Sequence, residues 1–260
     1  MNSRITFQTA VLTFVTLFAF ASNSILCRLA LGSHLIDAGT FTAVRLFSGA
    51  VILALLVSAR DKAIPKLQFK WRGALALFVY AAPFSFAYLR IPVAVGALLL
   101  FGTVQVTMIG FDLMKGKKLH RTELLGLVLA VGGLIFLLLP GVSSPDLLGA
   151  ALMALAGVAW GVYSLQGRGV TDPLVATAGN FVFSVVFVLP LLAANTSAVL
   201  VTTTGLLYAV SSGALASGVG YAIWYTALRG LTPTQAGIVQ LLVPVLAALG
   251  GVLFLGEVVS

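Results

Sequence analysis

The chain has 260 residues, of which 60% are hydrophobic and 8% charged, with a mean hydropathy of +1.11; a soluble domain carries about a quarter charged residues. That composition excludes a soluble globular protein, and the single cysteine, Cys27, excludes a disulfide framework or a cysteine metal cluster. A net charge of +8 raises nucleic-acid binding, but the basic residues are scattered among short polar breaks and form no basic domain, so no nucleic-acid partner is expected.

A bilayer core of about 30 Å takes about 20 apolar residues per helix, and nine runs of that kind occur, at 8–31, 38–58, 71–89, 91–114, 122–139, 146–166, 174–193, 205–228 and 232–255. The first begins after MNSR and resembles a signal peptide with an Ala19-Phe20-Ala21 cleavage site. Span six looks like its counterpart, which favours a retained helix. Spans three and four are parted only by Arg90, Ile91 and Pro92, and they are divided because their joint length is that of two crossings. The runs are continuously apolar and do not alternate, so the fold class is an all-α polytopic membrane helix bundle and not a β-barrel.

The basic residues set an orientation. With a cytoplasmic amino terminus, the inner side holds Arg4, the cluster Arg60, Lys62, Lys66, Lys70 and Arg72, then Lys115, Lys117, Lys118 and Arg121, and finally Arg168 and Arg229. Of the fifteen Lys and Arg residues, only Arg28, Arg45 and Arg90 remain outside or within spans, as the positive-inside rule requires. The expected location is a cell membrane of the bacterial inner-membrane kind.

Internal repetition is the next signal. Span two, read from Asp37, lies without a gap on span seven, read from Asp172: Asp37 meets Asp172, Thr42 meets Thr177, and Arg45 meets Asn180. The stretch from Ile91 matches that from Leu231 at a constant offset, with Gly110 on Gly250 and Gly116 on Gly256. If span four answers span nine and span two answers span seven, the unit is five helices. An odd unit places the second half upside down relative to the first, the inverted repeat of many secondary transporters. The expected domains are residues 1–140 and 141–260. The chain closes on FLGEVVS, whose counterpart MKGKKLH leads straight into span five. A tenth helix is therefore expected after Ser260, making the nine spans part of a ten-helix whole.

These features resemble the EamA-like branch of the drug/metabolite transporter superfamily. The family has two five-helix repeats, an arginine early in helix two, here Arg45 in TAVRLFSGA, and an L-G-E-x-[LVI]-[ST] phrase after helices four and nine. The second phrase stands as Leu255-Gly256-Glu257-Val258-Val259-Ser260, and the first is degenerate, with Lys117 in the glutamate position. The resemblance implies a carrier of small metabolites, mostly an exporter, with a cavity lined by helices one, three, four, six, eight and nine.

On those helices the candidates for substrate contact are Asn23, Tyr80, Gln105, Trp160, Tyr163, Tyr221, Trp224 and Gln240. A few orienting amide and hydroxyl groups among aromatic walls suit a small amphiphilic ligand. The plainer reading is that Tyr and Trp gather at membrane interfaces while Ser, Thr, Asn and Gln hold helices together. Arg45 reads as a gate or an anion contact, or, preferred on the sequence, as a snorkelling anchor near the outer interface aided by Asp37. Asn180 in the equivalent position suggests a shared polar packing site. Asp112 faces Lys115 at helical spacing and is the candidate for proton coupling; Pro83 and Pro244 should kink their helices. The Gly157/Gly161 pair reads as close helix packing.

No catalytic constellation, metal-ligand set or phosphate loop is apparent, and His34 and His120 fall at opposite faces, so neither enzyme activity nor a cofactor or metal is expected. The partners expected are a small-molecule substrate and the lipid bilayer, with a homodimer open. The functional reading is a secondary transporter working by alternating access; the alternative is a non-transporting scaffold or assembly protein of the same fold.

Overall fold

The computed structural model describes residues 6–116 except 66 and 68, residues 145–257 except 168–169, 195–198, 232–235 and 237–238, and positions 125, 126, 128 and 132. Eight helices are built from them: α1 (Phe7–Gly32), α2 (Ala38–Asp61), α3 (Trp71–Ala87), α4 (Val93–Met114), α5 (Leu147–Gly167), α6 (Pro173–Ala194), α7 (Thr203–Leu228) and α8 (Leu242–Leu255). They answer to expected spans one to four and six to nine. Span five lies almost wholly outside the described residues, as do Val258 to Ser260. Six of the eight, α1, α2 and α4 to α7, are long and apolar enough to cross a membrane; α3 and α8 are shorter, at 17 and 14 residues.

Side chains at the helix ends meet the orphaned backbone groups there. Asp37 accepts the Thr40 N–H at 2.9 Å at the start of α2, and Asp172 accepts the Val175 N–H at 3.2 Å at the start of α6. One turn further on, the Thr42 hydroxyl donates to the Ala38 carbonyl and the Thr177 hydroxyl to the Pro173 carbonyl, each at 2.7 Å. After α4 and α8 the chain turns through Gly116 (φ 77°) and Gly256 (φ 65°), left-handed conformations that favour glycine. Every one of these pairs joins positions that the sequence alignment of the two halves superposes.

The helices pack α3 on α5, α4 on α5, α2 on α6, α2 on α7, α1 on α7, α1 on α8, α3 on α6 and α4 on α8. Close approach is made possible by small residues. A Cβ at Gly157 would stand 2.8 Å from the Leu100 carbonyl oxygen, and one at Gly161 2.8 Å from the Thr107 methyl, so the GxxxG pair is where α5 lies down on α4. The outward surface is apolar: Phe14, Phe47, Leu55, Leu189, Leu215 and Leu253 are exposed. Such a belt suits lipid, as continuous apolar surface of this extent would be a liability in water.

Contacts segregate to two ends. At one end Arg28 pairs with Glu257, Arg90 with Asp146, and the segment at Leu35–Asp37 bonds to Leu200 and Thr202. At the other end Arg60 forms a two-pronged pair with Asp172 through Nη1 and Nη2, at 3.1 and 2.7 Å.

Two helices depart from regular α geometry. Residues Ser211–Val219 of α7 form a π-helical stretch, rich in Ser, Gly and Ala. In the ninth span the α-helix is interrupted at Leu241, three residues before Pro244. Proline has no N–H for the Gln240 carbonyl and its ring crowds that oxygen, which accounts for the break. Pro83 lies inside α3, and Pro190, which the sequence reading did not single out, lies inside α6.

Candidate substrate site

Arg45 is 1% exposed, so it is no snorkelling anchor. It occupies the face of α2 turned to α3 and α7, where Nη2 donates to the Tyr80 hydroxyl at 2.9 Å and Nε to the Ser217 hydroxyl at 3.3 Å. Its Cζ lies 5.0 Å from the Tyr80 ring centre and 4.8 Å from that of Phe84. A buried charge costs at least about 2.5 kcal/mol at mid-membrane on insertion scales. Cation–π contact and two hydrogen bonds offset part of that.

Four helices join in one polar chain around it. The Tyr80 oxygen also accepts from Asn23 Nδ2 at 3.2 Å, and Asn23 Oδ1 accepts from the Ser212 hydroxyl at 2.6 Å. Asn23, Tyr80, Ser212 and Ser217 are all buried. Ser212 and Ser217 both lie in the π-helical stretch, whose Gly213 lets α7 approach the Arg45 carbonyl so closely that any Cβ there would overlap it. The wide turn and the glycine together bring two hydroxyls of α7 to a network of α1, α2 and α3.

Beside this chain is a cavity of about 10 Å³, room for about one water. Its walls are Phe20, Asn23 and Ser24 of α1, Tyr80 and Phe84 of α3, Leu100 and Phe101 of α4, Trp160 of α5 and Tyr221 of α7. Trp160 is the hub of the aromatic wall, with ring centres 4.9 Å from Tyr221, 5.0 Å from Tyr80 and 6.1 Å from Phe20. Trp224 stands against Phe20 at 5.8 Å. On its other side Trp160 stacks on Tyr163 at 5.4 Å. Tyr163 in turn borders a second cavity of about 50 Å³ with Lys70, Gln166, Asn180 and Tyr225, towards the Arg60–Asp172 end. There the Tyr163 hydroxyl accepts from Asn180 Nδ2 at 3.4 Å. The stacked Trp160–Tyr163 pair therefore divides the central cavity from the one nearer that end.

At the opposite end a second charged assembly closes the bundle. Arg28 Nε donates to Glu257 Oε1 at 3.0 Å and Nη1 to the Tyr88 carbonyl at 2.8 Å, while Glu257 Oε2 accepts the Val93 N–H, the first of α4, at 2.7 Å. Glu257 can reach because the left-handed Gly256 turns the chain back, with the Glu257 N–H on the Gly251 carbonyl.

The structure thus places Asn23, Tyr80, Trp160 and Tyr221 around one cavity, Tyr163 and Asn180 around its neighbour, and Trp224 one layer behind. Gln105 is half-buried on α4 and Gln240 buried with its Nε2 on the Ala236 carbonyl at 3.1 Å; neither borders the central cavity. Asp112 is half-buried near the end of α4, and Lys115 lies over the Phe111 ring at 4.4 Å. Phe20, Phe84, Phe101 and Ser212 are members that the sequence reading missed. One signal was available: Gly-Ala-Leu-Ala occurs at 73–76 and again at 213–216, the offset that relates Gly116 to Gly256.

A family model, the EamA-like transporter family, matches residues 147–260. An uncharacterized protein of Pseudomonas aeruginosa is 55% identical over 250 residues, 96% of this chain and 87% of its own length. The chain belongs to the EamA-like transporter family. This EamA-like protein is a multi-pass membrane protein of a transporter family, not an enzyme. It is also similar to the threonine/homoserine exporter RhtA of Escherichia coli, 29% identical over 243 residues, covering 87% of this chain and 77% of the exporter. The RhtA of Salmonella typhimurium is 28% identical with the same coverage. A crystal structure at 20% identity shares the fold, with a TM-score of 0.70 over 95% of this chain and 89% of that one.

Proposed function

We propose that this EamA-like protein is a secondary active transporter that exports a small metabolite of the amino-acid kind by alternating access. The observation that carries the reading is the closed central cavity. Amide, hydroxyl and aromatic groups from α1, α3, α4, α5 and α7 line about 10 Å³, with the Arg45 guanidinium of α2 bonded to the wall residue Tyr80, whereas pockets that hold small ligands run to about 300–1,000 Å³. A site with orienting groups and no room is a site in its shut state, and helix movement is what opens it. The activity for which the RhtA relatives are named, threonine and homoserine export, supports the substrate class and the direction.

Residues 1–140 and 141–260 are taken as inverted repeats of a five-helix unit. The packing supports this. Exchanging α1 with α5, α2 with α6, α3 with α7 and α4 with α8 turns α3–α5 into α1–α7, α4–α5 into α1–α8 and α2–α7 into α3–α6, and returns α2–α6 and α4–α8 to themselves. The distribution of basic residues supports a cytoplasmic amino terminus in an inner membrane. In this frame the Arg28–Glu257 end is outer and the Arg60–Asp172 end inner, and the Trp160–Tyr163 pair is the inner partition. Asp112, on the inner part of α4, remains the candidate for proton coupling.

Counterflow in proteoliposomes tests the reading. Saturable exchange of at least one solute from a panel of amino acids, amines, sugars and nucleosides is expected. Its absence across the whole panel would sink transport in favour of a scaffold of the same fold.

A further inference from the structure

The transport reading leaves the substrate's chemistry open, and Arg45 narrows it. The guanidinium is buried, and among the described residues no carboxylate pairs with it. Among the described residues, Asp61 and Asp172 are engaged with Arg60, Asp146 with Arg90, Glu257 with Arg28, and Asp37 with the Thr40 and Leu200 backbone, while Asp112 lies near the end of α4. Arg45 Nη1 is buried without a hydrogen-bond partner among the described residues. Its other donors meet neutral oxygens only. Charge-assisted, two-pronged bonds to a carboxylate are roughly twice as strong as neutral ones, and a guanidinium fork is shaped to make them.

Resting on the transport reading, we propose that Arg45 is the anchor for a substrate carboxylate and that the Tyr80 phenol is its stand-in while the site is empty. The Tyr80 hydroxyl occupies Nη2, and the Tyr80 and Phe84 rings, both in the cavity wall, lie over the guanidinium. When Tyr80 swings off Nη2, an incoming carboxylate spans Nη1 and Nη2 and supplies a counter-charge that no described residue gives there. No carboxylate of a described residue lines the cavity to hold a cation. The faces of Phe20, Trp160 and Tyr221 offer an ammonium cation–π contact instead. The class selected is the carboxylic acid, α-amino acids foremost, and a simple amine or a dication is refused by Arg45.

The test is a thermal-unfolding titration of the purified full chain with the standard L-amino acids and homoserine, beside amines, sugars and nucleosides, because a solute that binds the folded state raises its stability. The best-stabilising amino acid is then compared with its carboxamide on wild type, Arg45→Lys and Tyr80→Phe. Expected are a loss of about tenfold or more in apparent affinity for the amide, a similar loss of acid binding in Arg45→Lys, and a gain of a few-fold for the acid in Tyr80→Phe. Equal affinity for acid and amide, or acid binding weakened by Tyr80→Phe, overturns the anchor; these two comparisons stand even if the Arg45 variant does not fold. Stabilisation by amines, sugars or nucleosides and by no acid overturns the anchor and leaves transport standing. Absence of both stabilisation and counterflow for every solute overturns transport and the anchor with it.

Discussion

Glu257 caps α4: its Oε2 accepts the Val93 N–H at 2.7 Å while Oε1 holds Arg28 at 3.0 Å. One side chain after α8 thus satisfies an orphan donor of α4 and ties α1 to both helices. A physical reason emerges for the Gly-Glu of the closing phrase, with glycine for the left-handed turn and glutamate for the cap.

Glu257→Ala removes both contacts, and its loss should cost about 1–3 kcal/mol, as for a lost cap with a charge-assisted bond. Arg28→Ala leaves the cap in place and should cost less. Unfolding midpoints in detergent would rank the two; an Arg28→Ala loss exceeding that of Glu257→Ala would refute the capping role.

Gly213 and Gly73 each open a Gly-Ala-Leu-Ala phrase but have unequal neighbours. A Cβ at Gly213 overlaps the Arg45 backbone carbonyl, which cannot turn aside, whereas one at Gly73 meets the Asn180 side chain, which can. Gly213→Ala should therefore destabilise by more than about 2 kcal/mol, in the range of overpacked cores, and Gly73→Ala by clearly less. Comparable midpoints for the two variants would contradict this account of how α7 seats on α2.

Trp160 both walls the central cavity and stacks on Tyr163. Trp160→Ala removes the partition, so substrate affinity should fall by about tenfold or more, and a loss of about 3 kcal/mol or more of stability accompanies the emptied core volume. Trp160→Phe keeps an aromatic wall and should restore most of the stability but only part of the affinity. Transport kinetics unchanged in both variants would remove Trp160 from the site.

The Arg60–Asp172 pair fixes a pH window. The Arg60 guanidinium, with help from the Val175 N–H, holds the Asp172 carboxyl below the usual carboxylate range. A carboxylate whose folded pKa is depressed adds stability that is complete above its unfolded value, near pH 4, and is lost as pH falls through the folded one. The difference in midpoint between wild type and Asp172→Asn should be constant from pH 7 to pH 5 and shrink below about pH 4. Because the pair is exposed, the difference is small. A difference that shrinks already between pH 7 and pH 5 would exclude the assignment.

The order and ends of the described helices were legible because length, hydropathy and capping residues act locally: Asp37, Asp172, Pro92 and Gly256 each mark an end where the backbone requires it. Which face of each helix turns inward was not. In lipid every face is apolar, and the inward face is marked by small and polar residues, so Arg45 on α2 read more readily as an interfacial anchor. Only the approach of α7 through Gly213 distinguishes the two. The π-helical stretch was likewise hidden, since Ser, Gly and Ala residues read as an ordinary helix until tertiary contact widens the turn.

Alternating access is the central claim, and it is testable without knowing the substrate. Ser24 lines the central cavity and is 1% exposed. In a Cys27→Ser background, Ser24→Cys should react with a membrane-impermeant maleimide added to either face of sealed vesicles, slowly and at rates that a bound solute shifts. Labelling confined to one face, or absent from both while the protein remains folded, would contradict the account.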